Sequence, residues 1–100
     1  MFKNITKKED VEKIIAVWGD IADSIQNKWH GKVAMGYVIR RLGFSGFIVG
    51  GAKVSEKHCN YISNINHAAF NDVFTIIEKI KQKFFETFRF YPEPEVAIIA

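Results

Sequence analysis

Apolar residues recur every three or four positions over residues 6–26, where Val11, Ile14, Ile15, Trp18, Ala22 and Ile25 fall on one helical face. Thr6 followed by Glu9 has the spacing of a capping box and predicts the start of this helix. Gly19 weakens the middle and predicts two shorter pieces. After a polar connection from Asn27 to Lys32, a second short helix is predicted over residues 33–42. Gly43 is placed to end it, because a glycine adopts the left-handed conformation of a helix C-cap without strain. The clearest periodicity runs from Asn71 to Phe88, where Val73, Ile76, Ile77, Ile80, Phe84 and Phe88 form one apolar stripe.

Between these helices the period shortens. Gly46 to Val49 reads as a short buried strand and Asn60 to Ile65 as another. Beyond Arg89, Pro92 and Pro94 forbid helix and mark an extended segment, with a terminal strand predicted over Val96–Ile99. Helices mixed with a few short strands predict an α+β fold: a small sheet of short strands packed with two to three helices. One hundred residues are enough for one domain.

Composition changes this picture little. The net charge of +3 suits an anionic ligand without defining one, and the cationic residues are too dispersed to predict a nucleic-acid partner. A single cysteine excludes an internal disulfide framework and fits a reducing compartment. Residues 1–15 carry lysines and glutamates instead of the apolar core of a signal peptide, and no apolar run approaches a membrane span. The expectation is a cytoplasmic protein with no membrane contact. Fourteen aromatic residues, nine of them Phe, either fill a core or line an interface; Phe70, Phe74, Phe85 and Phe90 are candidates for an adhesive patch.

Three clusters invite chemistry. The Gly50–Gly51 pair allows a tight turn and close approach of a ligand to the backbone. Ala52 stands where a phosphate-binding loop of the Walker type needs lysine, so a plain turn and a ligand turn both remain open. His58 and Cys59 are adjacent, and on an extended segment they point in opposite directions, which argues against joint metal ligation or a Cys–His nucleophile. No CxxC or HxxxH spacing supports a metal site. His58 is then either a hydrogen-bonding contact for a ligand or a solvated residue. In an extended Pro92–Glu95 segment, Glu93 and Glu95 face the same way, either as an acidic strand edge or as a fixed carboxyl available for proton transfer.

The run GFIVGGAKVSEKHCNYI (residues 46–62), then NDVFTIIEKIKQKF (71–84) and PEPEVAII (92–99), resembles the C-terminal domain of UDP-N-acetylenolpyruvoylglucosamine reductase, the MurB flavoenzyme family of peptidoglycan synthesis. Residues 33–47 look like that family's small helix and turn, and Phe2-Lys3-Asn4 looks like the end of its G-S-x-F-K-N motif. Residues 5–31 match only as a helical insertion. The resemblance implies a substrate-binding domain that works with a larger flavin-binding part. It also implies hydride transfer from NADPH through FAD to the enolpyruvyl double bond of a UDP-sugar. Hydride addition leaves negative charge on the carbon bearing the carboxylate, so a general acid and a charge-stabilising neighbour are required.

Carried over by position, the resemblance makes Glu95 the catalytic candidate. It makes Asn4, His58, Gly50 and Gly51 the substrate-binding candidates, with UDP-N-acetylglucosamine enolpyruvate as the ligand. The departures are equally specific. The motif's serine would precede Met1, Ser45 stands at a lysine position, Ala97 at an arginine position, and Ile5 where proline is common. The flavin-binding part lies outside these 100 residues. The sequence therefore predicts a truncated chain that binds neither FAD nor NADPH alone and is inactive by itself. The alternative is a non-enzymatic module binding a nucleotide-sugar or a protein.

Overall fold

The computed structural model describes residues 1–95. The predicted terminal strand over residues 96–99 lies outside them. The chain forms α1 (Lys8–Val17), a single 3-10 turn (Gly19–Ile21), α2 (Ala22–Asn27), α3 (Met35–Arg41), β1 (Ile48–Val49), β2 (Ala52–Val54), β3 (Ile62–Asn64) and α4 (Phe70–Phe88). The three strands make one antiparallel sheet in the order β1-β2-β3, with Val49 opposite Ala52 and Lys53 opposite Ser63. The α+β expectation holds.

α4 is the spine of the fold. Its apolar stripe repeats at helical spacing, and Ile76, Ile80, Phe84 and Phe88 are all buried. Each such side chain contributes about 1.5–3 kcal/mol relative to exposure. Val73 and Ile77 flank the stripe, half-buried against the same core. Arg89 ends the helix in the left-handed conformation (φ 65°), its N–H donating to Phe85 O at 2.8 Å.

α3 ends as its sequence requires. Gly43 takes φ 96°, its N–H donates to Arg40 O (3.0 Å), and the Phe44 N–H donates to Ile39 O (3.2 Å). These two bonds satisfy carbonyls that the helix end leaves open, in a Schellman arrangement. At the other end of the chain's helical repertoire, the predicted Thr6–Glu9 capping box does not form. Thr6 lies one residue too early: the N-cap is Lys7, in extended conformation, without a side-chain bond.

The break at Gly19 is present, and the pieces it separates are integral to the domain. Val11, Ile14, Ile21 and Ile25 belong to the same buried cluster as α4 and α3. An antiparallel bridge between Ile5 and Val33 closes residues 5–33 into a loop. Trp18 packs edge-on against Phe88 (4.8 Å between centroids), and the Arg41 guanidinium lies over its indole at 4.3 Å while also bonding Asp20 at 2.8 Å.

The strands differ from expectation in two ways. β2, the central strand, is absent from the sequence-based reading, because the alternation of Ala52, Lys53 and Val54 spans only three residues directly after the glycine turn. β1 is also shorter and less buried than predicted, since Ile48 is 52% exposed at the sheet edge. Among the described residues, no helix is long and apolar enough to cross a membrane.

Candidate functional site

The N-terminal residues run as a short extended segment with both backbone edges occupied. On one edge, Phe2 bridges Pro94 in antiparallel fashion: the Lys3 N–H donates to Glu93 O (2.9 Å) and the Glu95 N–H to Met1 O (2.8 Å). On the other edge stands the side chain of Asn60, whose Oδ1 accepts the Phe2 N–H (3.0 Å) and whose Nδ2 donates to Phe2 O (2.8 Å). The Met1 α-amino group donates to Asn60 O at 2.7 Å. Burial lowers the basicity of that amino group, and the nearby charge of Glu95 acts in the opposite direction.

The strand pairing orients the acidic tail. Pro94 sits at the bridge, between Glu93 and Glu95, whose backbone groups pair with Lys3 and Met1. Glu93 pairs loosely with Lys3 at 3.7 Å, both side chains being more than half exposed. Such a pair contributes little to stability.

His58 lies in the turn from Ser55 to Asn60 rather than on a strand. Its N–H donates to Ser55 Oγ (3.1 Å), and the Tyr61 N–H donates to His58 O (2.9 Å). The opposite orientation of His58 and Cys59 is observed, with His58 exposed and Cys59 only 2% accessible, but the turn produces it, not strand alternation. The imidazole meets the Tyr61 ring edge-on at 6.1 Å. In the same turn Glu56 pairs with Lys53 at 2.7 Å, which holds its carboxyl below the usual range. Among the described residues there is no cluster of three or more His, Cys, Asp or Glu able to hold a metal.

Asn4 follows the clamped segment. Its Oδ1 accepts the N–H of Met35, the first residue of α3, at 3.0 Å, supplying by tertiary contact the cap that Ala34 lacks. Asn4 also lines a groove of about 360 Å³ together with Lys3, Thr6, Lys7, Phe90 and Pro92.

The Gly50–Gly51 turn lies at the opposite end of β2 from the His58 turn. Gly50 takes φ 55°, and a Cβ there would meet the Asp72 carboxylate at 2.5 Å. Gly51 is buried, and a Cβ there would fall on the carbonyl of Asn66. Asp72 accepts the N–H of Ala69 (2.9 Å) and of Gly51 (3.2 Å), and these two bonds, Ala69 first, hold its carboxyl below the ordinary range. The first of them is the returning half of a capping box; Ala69 has no side-chain oxygen to supply the other half. A carboxylate thus fills the side of the turn that a phosphate would use.

The structure therefore gathers Glu95, Asn4 and the His58 turn around the clamped N-terminal segment, and places the glycine turn apart from them. Asn60 was missed as a candidate although it lies in the quoted motif, because its partner is 58 residues away in sequence. The four phenylalanines proposed as one patch are divided. Phe70 and Phe74 stack on each other in the open, Phe85 stacks on Tyr91, and Phe90 packs on Phe84.

A three-stranded meander on a long helix, with an acidic segment bridged to a clamped N-terminal segment, defines a small α+β domain. The chain belongs to the family described as "UDP-N-acetylenolpyruvoylglucosamine reductase, C-terminal domain", which matches residues 1–99. It is 34% identical over 98 residues to the UDP-N-acetylenolpyruvoylglucosamine reductase of Prochlorococcus marinus subsp. pastoris, covering 97% of this chain and 31% of that protein. It is 37% identical over 84 residues to the reductase of the same name from Campylobacter jejuni (84% and 31%), and 36% identical over 64 residues to that of a Synechococcus species (64% and 20%). The chain thus spans between a fifth and a third of the length of these curated relatives.

Proposed function

We propose that this chain is the substrate-binding part of a flavin-dependent reductase acting on UDP-N-acetylglucosamine enolpyruvate in peptidoglycan synthesis, located in the cytoplasm. In this reading Glu95 handles charge at the substrate carbon that bears the carboxylate. It acts either as proton donor to that carbon or as electrostatic partner of the donor. His58 and Asn4 meet the nucleotide-sugar, Asn4 through the amide nitrogen that its bond to Met35 leaves available. Gly50 and Gly51 contribute by aiming β2 toward the His58 turn.

The observation that carries the reading is the pairing of the Glu95 backbone with Met1, at 2.8 Å. It brings any residue joined ahead of Met1 close to Glu95. The family's motif has its serine at that position, which supports the reading that such a serine and Glu95 act as a pair.

The reading assigns FAD and NADPH to a part other than these residues. The Gly50–Gly51 turn faces the Asp72 carboxylate, which disfavours a pyrophosphate there. The isolated 100 residues are expected to show no reductase turnover.

The test is a fusion of the flavin-binding part of the Prochlorococcus marinus reductase ahead of Met1. Turnover of UDP-N-acetylglucosamine enolpyruvate is expected, and Glu95→Gln is expected to lower kcat by about 100-fold or more. A fusion whose Glu95→Gln variant keeps full kcat would overturn the role of Glu95.

A second reading, a protein-binding module without catalysis, is favoured by one observation: Phe70 is 80% exposed and stacked on the half-exposed Phe74. A fusion that folds and binds FAD yet shows no turnover at all would favour this reading.

A further inference from the structure

We propose that Asn60 is the positioning residue of the Glu95 site: it seats the first residues of the chain, and they in turn hold the segment carrying Glu95. The inference rests on the functional reading above for what Glu95 does, and on geometry alone for how Glu95 is held.

In an extended segment, alternate residues direct their N–H and C=O groups to opposite edges. Phe2 directs both of its groups to Asn60, at 3.0 and 2.8 Å. The Met1 C=O and the Lys3 N–H point the other way, to the Glu95 N–H and the Glu93 C=O, at 2.8 and 2.9 Å. The Asn60 carboxamide therefore stands in for a neighbouring strand, offering one acceptor and one donor at the spacing a peptide group would offer. The Asn60 carbonyl adds a third bond, from the Met1 amino group at 2.7 Å.

Asn60 is itself fixed. It closes the turn that begins at Ser55 and carries His58, and its Cβ and N lie 3.9 Å from the position a Cβ would take on Gly36 of α3. One residue thus links the His58 turn, the first turn of α3 and the Glu95 segment. Without the carboxamide, Phe2 keeps two backbone groups with no partner. Pairing of residues 1–3 with 93–95 then rests on the outer edge alone, and Glu95 loses its fixed distance from residue 1.

The Met1 amino group provides a probe within the chain as it stands, because the Glu95 charge acts on it. Its titration is followed through the Met1 Cα chemical shift in four proteins: wild type, Glu95→Gln, Asn60→Ala and the double variant. Glu95→Gln is expected to lower the Met1 amino pKa in the Asn60 background and to leave it nearly unchanged in the Asn60→Ala background. Ser55→Ala, which removes a hydrogen bond within the His58 turn and none to residues 1–3, is expected to preserve the effect of Glu95→Gln. An equal effect of Glu95→Gln with and without Asn60 overturns the proposal, because a merely structural Asn60 would not govern that coupling.

Should Asn60→Ala fail to fold, amide hydrogen exchange of the wild type decides. The amides of Phe2, Lys3 and Glu95 are expected to exchange as one unit, within about threefold of each other in protection. Protection at Phe2 with none at Glu95 would overturn the proposal. Neither readout involves a ligand or turnover, so failure of the reductase reading would leave both results standing.

Discussion

The carboxamide of Asn60 pairs with both backbone groups of Phe2, 58 residues away in sequence, and closes the first residues onto the rest of the domain. Two hydrogen bonds at roughly 1 kcal/mol each, and the exposure of unpaired groups when they are lost, set the scale. Asn60→Ala is expected to cost about 1–3 kcal/mol in urea unfolding, with an unchanged m-value.

The two glycines of the β1–β2 turn are expected to rank opposite to their backbone angles. Gly50 has the positive φ, so Gly50→Ala meets left-handed strain of about 1–2 kcal/mol and displaces a side chain, Asp72, that can rotate away. Gly51 has an ordinary φ, but a Cβ there would strike the backbone at Asn66 and lie 2.8 Å from Ala68 N. Backbone cannot rotate away, so Gly51→Ala is expected to cost about 3 kcal/mol or more. Thermal melts of the two variants check the order.

Asp72 makes stability depend on acid. Its carboxyl is held below the ordinary range by the N–H groups of Ala69 and Gly51. A depressed folded-state pKa stabilises the fold above the unfolded carboxylate value, and the contribution disappears as pH falls through the folded value. Stability is therefore expected to hold from neutrality to about pH 4 and to decline below it. Asp20 and Glu56, also depressed, act in the same direction. Urea midpoints measured down the acid range should fall less steeply for Asp72→Asn than for wild type.

Arg89 ends α4 at φ 65°, a conformation that glycine adopts without a Cβ penalty. Arg89→Gly is expected to raise stability by about 0.5–1 kcal/mol. A lowered melting temperature would show that the left-handed cap is stabilised by more than backbone geometry.

Much of this was legible in the sequence, and the reasons divide by range. α4 was legible because its stripe repeats over five turns, and the end of α3 because only a glycine suits φ 96° at Gly43. The interruption at Gly19 was legible for a local reason too. β2 was not, since its place at the centre of the sheet comes from its neighbours and not from its three residues. Thr6 and Glu9 had the right spacing but the wrong phase, one residue ahead of the actual N-cap. The clamp by Asn60 and the cap by Asn4 join distant segments, and no local pattern records them.

The edge formed by residues 1–4, the His58 turn and Glu95 is proposed to receive a nucleotide-sugar. Titrating UDP-N-acetylglucosamine enolpyruvate into the isotope-labelled chain tests it most directly. Saturable shifts are expected at the amides of Phe2, Asn4, His58, Asn60 and Glu95, with little change at Phe70 and Phe74. Shifts confined to Phe70 and Phe74, or no shift at millimolar ligand, would contradict it.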